Sequence, residues 1–284
     1  FIPPSEWSGL SLKERIEEVA GGLKGTLGVA VKNLGTGEKV LVRGNTLFQL
    51  ASVFKVPVIV TLYRQADAGK INLDDYVEMT DYARVPGSGV LRELTPGLKL
   101  RVRDYRTLMM MISDNTATDT VVNLVGKDNV NDTMLELGLQ KTNISTCRDL
   151  LFELIGLGEV APEKRTIQIW EETMKKMMDR PPSRPPRAKG KEKNVTTPGE
   201  MMTLLEMIYK GEAASKGACE EIIGLMKKCQ TGENRIWKYL PREKVEVAHK
   251  TGTVRGVVND AGIIYPQGKE PYILSCFTKG LGDN

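Results

Sequence analysis

Histidine, aromatic residues and long apolar runs are scarce in this chain of 284 residues, and each scarcity argues against a class of protein. The single histidine, His249, adjoins Lys250 in a strand-like run, so a serine triad built on histidine is nearly excluded. Aromatic residues make up 6% of the chain and do not alternate with basic ones, which argues against a nucleic-acid partner. No apolar run is long enough to predict a membrane span.

Cysteines are also few, and their spacing does not match a metal site. Cys147, Cys219, Cys229 and Cys276 lack the paired spacing of zinc ligands, so we expect no metal and no cofactor. Cys219 and Cys229 lie ten residues apart; a disulfide between them and two free thiols both remain open.

The net charge of the chain bears on its substrate, and its first residue bears on its cellular compartment. A formal net charge of +4 fits a small anionic substrate, although such a balance is common. The chain opens with Phe1 and not with Met, so we expect that a signal segment has been removed and that the protein is periplasmic or secreted. The oligomeric state is not indicated by any pattern.

The order of helical and strand patterns predicts the fold class. Five runs have strand patterns and fall at the two ends of the chain, at residues 26–33, 39–43, 245–252, 257–265 and 272–278. Helical patterns dominate the part between them. We therefore predict an α+β fold in which residues 1–50 and 241–284 form an antiparallel sheet with flanking helices. Residues 51–240 form an inserted, mainly helical domain, and the cleft lies at the junction.

Three short motifs stand in order along the chain: Ser52-Val53-Phe54-Lys55, Ser113-Asp114-Asn115 and Lys250-Thr251-Gly252. They supply a serine nucleophile with an amine base, a polar wall and a cationic wall, which together suit acyl transfer. A Ser-x-x-Lys alone is expected about once by chance in a chain of this length. The combination and the order of the three motifs make the signal specific.

Ser52 and Lys55 are the predicted nucleophile and base. Residues 53–68 have the pattern of a buried helix, so Ser52 also suits an ordinary N-cap. Lys55 favours catalysis, because residues three apart share a helix face and its amine can lie beside the Ser52 hydroxyl. The helix N-terminus and apolar neighbours would both lower the pKa of Lys55, and a neutral lysine is a competent base.

Ser113-Asp114-Asn115 follows an apolar helical run and precedes another. A plain turn between helices is the simplest interpretation, since all three residues favour turns and caps. The apolar flanks indicate an interior cleft instead. There Ser113 could relay a proton, and Asn115 could hold a substrate amide or the Lys55 amine.

Lys250-Thr251-Gly252 ends a strand pattern. A lysine in an edge strand often only opposes aggregation. Gly252 and Thr253, being small, leave room for a ligand to lie along the strand as a further backbone partner. Lys250 would then face a carboxylate, and the N–H groups of Thr253 and Ser52 would form an oxyanion hole.

With these three motifs the chain resembles the penicillin-recognising serine acyltransferases, above all class A β-lactamases and related penicillin-binding proteins. Further stretches that are similar to that family accompany the three motifs: residues 96–104, 113–119, 196–198, 231–236 and 259–264. The resemblance covers roughly residues 12–140 and 194–280.

The resemblance implies roles for the motif residues. Ser52 would be the acylated nucleophile, Lys55 its activator and Ser113 the proton relay, whereas Lys250 and Thr251 would bind the substrate carboxylate. The implied function is a serine hydrolase that opens β-lactam amides through an acyl-Ser52 intermediate. A D-alanyl-D-alanine peptidase, a slowly deacylating penicillin sensor and, less favoured, another amidase remain alternatives.

One element of the family pattern is missing. Class A β-lactamases carry an Arg-x-Glu-x-x-Leu-Asn signature whose Glu activates the deacylating water, and no such signature occurs here. Residues 141–193 form an enlarged, atypical stretch in its place, predicted as a loop. Asp149 lies where counting from Ser113 places the missing Glu, and Asp149 and Glu153 are the candidate bases. Without a positioned carboxylate, the acyl-enzyme would persist.

Overall fold

The computed structural model describes residues 7–179 and 193–282. The strands are β1 (Thr26–Asn33), β2 (Lys39–Val42), β3 (Phe48–Gln49), β4 (Tyr76–Glu78), β5 (Lys99–Arg101), β6 (Val195–Thr196), β7 (Val245–Val254), β8 (Val257–Pro266) and β9 (Tyr272–Lys279). The α-helices are α1 (Leu12–Gly21), α2 (Lys55–Asp67), α3 (Val102–Met111), α4 (Asn115–Val125), α5 (Lys127–Glu136), α6 (Cys147–Leu154), α7 (Ile167–Asp179), α8 (Pro198–Lys210) and α9 (Lys216–Lys227).

Strands from both ends of the chain join one antiparallel sheet, as predicted. Its order is β2-β1-β9-β8-β7, and the join between the two ends is the β1–β9 pair, in which Ala30 faces Ser275. Lys250 on β7 faces Ala261 on β8, so the third motif lies on the strand at one edge of the sheet.

The two faces of the sheet follow the alternation of apolar residues along β1. Leu27 and Val29 pack with Ala20 of α1, whose start is fixed by a reciprocal capping box between Ser11 and Glu14. Ala30, on the opposite face, belongs to the large core that also contains residues of α8 and α9. The sheet is therefore covered by α1 on one face and by α8 and α9 on the other.

The middle of the chain is mainly helical, with two additions that the sequence analysis missed. Strand β3 pairs with β6, and β4 pairs with β5, each as a short two-stranded sheet. Strands of two or three residues are too short to show a period in the sequence. The proposed division at residues 51–240 stays a prediction; α8 and α9 lie within that range but pack on the sheet.

The stretch predicted as an enlarged loop is largely helical where it is described. Helices α6 and α7 occupy much of residues 147–179, and α6 begins at the cap Thr146, whose side chain accepts a hydrogen bond from the Asp149 N–H. The remainder of that predicted loop, residues 180–192, lies outside the described residues. In the described ranges, no helix has the length and apolar content to span a bilayer.

Candidate active site

Ser52 lies in a tight turn ahead of α2 and not inside the helix. Residues Ala51–Phe54 form a single 3-10 turn, and α2 begins at Lys55. Neither element is capped by a side chain, so the N-cap interpretation of Ser52 is wrong. Ala51 has φ of +46°, a left-handed conformation that costs free energy in a residue with a Cβ. The surrounding structure must therefore hold this turn in place.

Asn259 on β8 is one residue that holds the turn. Its Nδ2 donates to the carbonyl oxygens of Gln49 at 2.7 Å and Leu50 at 3.1 Å, and its Oδ1 accepts from the Thr278 N–H at 3.0 Å. Since Asn259 is fully buried, these bonds are not replaced by water. The sheet thus fixes the position of the chain just before Ser52.

Gly252 allows β7 to pass directly against this turn. A Cβ at Gly252 would lie 2.5 Å from the Leu50 carbonyl oxygen and 3.0 Å from the Ser52 nitrogen. Any larger residue would push β7 away from Ser52. The small residue in the third motif therefore serves the close approach of strand and nucleophile.

Lys55 is fully buried and meets the second motif. Its Nζ donates to the Ser113 carbonyl oxygen at 2.7 Å, Ser113 Oγ at 2.9 Å and Asn115 Oδ1 at 3.0 Å. The expected contact between Asn115 and the Lys55 amine is therefore present. Burial lowers the pKa of Lys55, and the negative groups nearby only partly oppose this effect. No hydrogen bond joins Lys55 Nζ to Ser52 Oγ, although both residues lie in described parts of the chain.

Ser113 stands between two buried lysines. Besides Lys55, the Lys250 Nζ donates to Ser113 Oγ at 3.1 Å and to the Thr251 carbonyl oxygen at 3.0 Å. Burial, followed by the charge of Lys55, lowers the pKa of Lys250 from 10.5 to about 7. Ser113 has φ of +60°, so its backbone is strained in the same sense as Ala51.

Asp114 organises the segment opposite Ser52. It caps α4 by accepting from the Ala117 N–H at 2.8 Å, and its other oxygen accepts from the N–H groups of Val90 and Leu91. These bonds hold residues 85–91, including Ser88, against the second motif. The tripeptide is buried, as the apolar flanks predicted.

The three motifs face one cavity of about 270 Å³. Its lining is Ala51, Ser52, Phe54, Gly87, Ser88, Ser113, Asn115, Cys147, Leu150, Leu151, Thr231, Arg235, Thr251, Thr253 and Val254. The residues of the predicted oxyanion hole, Ser52 and Thr253, both line it. Within the described residues, this lining contains neither aspartate nor glutamate, and no cluster of side chains suits a metal ion.

The candidate deacylation bases are engaged elsewhere. Asp149 on α6 pairs with Arg165 and accepts from Ser145 Oγ at 3.1 Å. Glu153 pairs with Lys193 at 2.7 Å. Neither carboxylate lines the cavity, so their assignment stays a prediction that these contacts do not favour.

The cavity also holds residues to which sequence analysis gave no role. Arg235 donates to the Gly252 carbonyl oxygen at 3.2 Å and also reaches Thr253 Oγ1, which places a cation at the end of the third motif. The buried Cys147 donates its thiol hydrogen to Asn115 Oδ1 at 3.3 Å, and burial raises the pKa of this thiol. The sequence did offer a signal for Arg235, because it lies in residues 231–236, a stretch that is similar to the family. No sequence pattern pointed to Cys147.

An antiparallel sheet with an edge strand next to a serine turn, and a helical region that supplies the second wall, is the architecture of the penicillin-recognising serine acyltransferases. A model of the β-lactamase enzyme family matches residues 11–284, and the chain belongs to that family.

Known relatives agree with this assignment. Beta-lactamase VEB-1 of Pseudomonas aeruginosa is 25% identical over 275 residues, which cover 93% of this chain and 81% of that protein. A solved β-lactamase of Sphaerobacter thermophilus is 30% identical with a TM-score of 0.74, and the match covers 98% of this chain and 90% of that one. The structure of PBP-A, 23% identical, shares the fold with a TM-score of 0.75 over 95% of this chain and 88% of that chain.

Proposed function

We propose that the protein is a serine hydrolase that opens β-lactam amides through an acyl-Ser52 intermediate. The observation that carries the proposal is the position of Ser113 Oγ, within hydrogen-bonding distance of both Lys55 and Lys250 at a cavity that Ser52 lines. Membership of the β-lactamase enzyme family supports the same substrate class.

Acylation follows from these positions. Ser52 Oγ attacks the amide carbon, and the neutral amine of Lys55 takes the hydroxyl proton of Ser52. For this step, Lys55 Nζ gives up one of its present hydrogen bonds and turns its lone pair toward Ser52 Oγ. The N–H groups of Ser52 and Thr253 receive the charge that develops on the carbonyl oxygen. Ser113 gives its hydroxyl proton to the departing nitrogen and receives from Lys55 the proton that came from Ser52, so that the amide bond breaks, the ester remains on Ser52 and Lys55 is neutral again.

The cationic end of the cavity suits the carboxylate of the substrate. Arg235 supplies positive charge there, Lys250 adds to it below its pKa of about 7, and the hydroxyl groups of Thr251 and Thr253 supply hydrogen-bond donors. A substrate lying along the edge strand β7 would place its carboxylate near these groups and its amide near Ser52.

A second candidate is a D-alanyl-D-alanine peptidase or a slowly deacylating penicillin-binding protein. The observation that favours it is the apolar wall that α6 presents to the cavity, made of Leu150 and Leu151, with the protonated thiol of Cys147 beside it. Hydrolysis of the ester needs a base that activates water, and none of these side chains is one.

A chromogenic cephalosporin followed by both colour and intact mass separates the two candidates. Continuous colour with a short-lived adduct supports a β-lactamase, whereas one equivalent of colour with a lasting adduct supports the second candidate. The matched control is Ser52→Ala, which should form neither product nor adduct. Absence of both with the unaltered protein would refute acylation at Ser52.

A further inference from the structure

A buried histidine lies on the strand that carries the third motif, and it takes no part in the acylation steps. His249 on β7 is fully buried, and its Nδ1 lies 2.9 Å from Asp260 Oδ1 and 3.1 Å from Asp260 Oδ2 on β8. A carboxylate only accepts hydrogen bonds, so Nδ1 carries the hydrogen and donates it. Together these two residues form the His–Asp pair.

The two strands bring the His–Asp pair together. His249 faces Gly262 across the strands, and Asp260 lies two residues earlier on β8, at the diagonal position. A Cβ at Gly262 would lie 2.6 Å from the Cβ of His249, so a larger residue there would push the histidine aside. The second ring nitrogen, Nε2, is buried and has no hydrogen-bond partner within the described ranges. Asp260 is therefore the group that orients the ring, and the ring in turn orients the carboxylate.

Asp260 also holds the segment that leads to β7. Its Oδ2 accepts a hydrogen bond from the Ile236 N–H at 3.3 Å. Ile236 begins the 3-10 turn Ile236–Tyr239, which the preceding side chain does not cap. The carboxylate on β8 thus satisfies an N–H group at the start of this turn, as a cap would. Because Asp260 is buried, water does not compete for the bond.

Arg235 directly precedes this turn, and its guanidinium reaches the cavity. Nη1 donates to the carbonyl oxygens of Gly252 and Asn259, and Nη2 donates to Thr253 Oγ1. Burial lowers the pKa of Arg235, and the negative charge of Asp260 opposes this effect. Asp260 therefore acts on Arg235 in two ways, through the backbone of the next residue and through its charge.

We propose that Asp260, oriented by His249, is a positioning residue that keeps Arg235 at the carboxylate end of the cavity. Neither member of the His–Asp pair belongs to the cavity lining, so the pair acts on a substrate through Arg235. The effect on the substrate carboxylate rests on the proposed function. The hold on residues 235–240 does not.

Hydrogen–deuterium exchange of the unliganded protein tests the hold on residues 235–240. Asparagine at position 260 has one acceptor oxygen and cannot serve both donors, and the longer bond, from Ile236, is the one that we expect to be lost. Amides in residues 235–240 should therefore exchange about tenfold faster in Asp260→Asn. Equal exchange in this variant and the unaltered protein would overturn the proposal, whether or not the protein opens β-lactams.

Glu246→Gln is the matched control for that experiment. Glu246 is an exposed carboxylate on β7 that pairs with Lys227 at 2.7 Å. Its replacement removes the same charge from the same sheet without touching the turn, so exchange in residues 235–240 should not change. Equal acceleration in both variants would show a general effect of charge and would count against the proposal.

Two variants of His249 test the role of the ring. His249→Asn keeps an N–H group near the position of Nδ1, whereas His249→Leu is of similar size and has no donor. We expect His249→Asn to retain the exchange protection of residues 235–240 and His249→Leu to lose it. Equal protection in the two would remove His249 from the proposal. Circular dichroism checks folding; if His249→Leu is unfolded, Asp260→Asn decides.

Stopped-flow acylation by a chromogenic cephalosporin tests the effect on the substrate. The limiting rate reports on the chemistry at Ser52, and the apparent dissociation constant reports on the anchoring of the carboxylate. Asp260→Asn should raise this constant about tenfold, as expected for a bond to a charged group, and change the limiting rate by about twofold or less. A lower limiting rate with an unchanged constant would contradict a positioning role.

A double-mutant cycle with Arg235→Ala identifies the residue through which Asp260 acts. With Arg235 removed, Asp260→Asn should raise the dissociation constant by about twofold or less. A full tenfold rise in that background would overturn the proposal and point to Lys250, whose amine also feels the charge of Asp260. If the unaltered protein is not acylated at all, the proposed function fails, and the exchange experiment alone decides whether Asp260 holds the turn.

Discussion

Replacing Lys250 by Met should stabilise the protein at low pH, although it removes a residue of the proposed site. Lys250 is fully buried, and its pKa falls from 10.5 to about 7 on folding. At about 1.4 kcal/mol per pH unit, this difference corresponds to a penalty of about 5 kcal/mol when the residue is charged. Met fills a similar volume without charge, so it avoids the penalty.

The substitution also has a cost. Lys250 Nζ donates two hydrogen bonds, to Ser113 Oγ and to the Thr251 carbonyl oxygen, each contributing about 1 kcal/mol. The net effect at pH 6 is therefore a gain of about 3 kcal/mol in the free energy of unfolding. Acylation should fall at the same time, because the carboxylate of the substrate loses its cation.

The sign of the pH dependence is the sharper test. Between pH 7 and 10.5 the unfolded chain binds a proton at Lys250 that the folded chain does not, so the stability of the unaltered protein rises with pH across this window. The gain in the free energy of unfolding from Lys250→Met should therefore shrink by about 1.4 kcal/mol per pH unit above pH 7. It should vanish near pH 9, where the remaining charge penalty equals the loss of the two hydrogen bonds.

Urea unfolding at pH 6, 7.5 and 9 measures the difference. The exposed Lys70, replaced by Met, is the matched control and should change stability by about 0.5 kcal/mol or less at each pH. If Lys250→Met were destabilised by the same amount at all three pH values, Lys250 would be titrating at the ordinary lysine pKa of 10.5 in the folded protein, and the reasoning would fail.

Three further predictions concern acylation and deacylation. Lys55→Ala should slow adduct formation with a cephalosporin about 100- to 10,000-fold, because a positioned base is lost, and stopped-flow colour change measures this; a near-normal rate would remove Lys55 from the mechanism. Asp149→Asn and Glu153→Gln should leave the lifetime of the adduct unchanged, since both carboxylates pair with cations outside the cavity; a longer lifetime in either would identify the base. Leu151→Glu should shorten that lifetime by placing a carboxylate at the cavity wall, with Leu151→Gln as control; equal lifetimes in the two would count against the idea.

Those parts of the fold that depend on local pattern could be predicted from the sequence. Apolar and polar residues alternate along β1 and along the three C-terminal strands, a pattern that depends only on residues two positions apart. The predicted bounds of these strands agree with the observed ones to within about two residues. The buried second motif could also be predicted, because apolar helices flank it on both sides. The helices α6 and α7 were missed since the same region ends in a charged, proline-rich run that favours a loop.

The geometry at Ser52 could not be predicted from the local sequence. The turn depends on a positive φ at Ala51, on the amide of Asn259 and on the close approach of Gly252, residues about 200 positions apart. Such contacts have no period and no fixed spacing.

The hydrogen-bonding of Ser113 limits what its hydroxyl group can do. Oγ accepts one bond from Lys55 and one from Lys250, and a hydroxyl oxygen has two lone pairs. While both amines donate, the only hydrogen on Oγ must point away from them. Once Lys55 loses a proton, its own lone pair can attract that hydrogen and turn it back. The charge on two amines thus decides in which direction one hydroxyl donates, and adding or removing a single proton reverses that direction without any movement of the backbone.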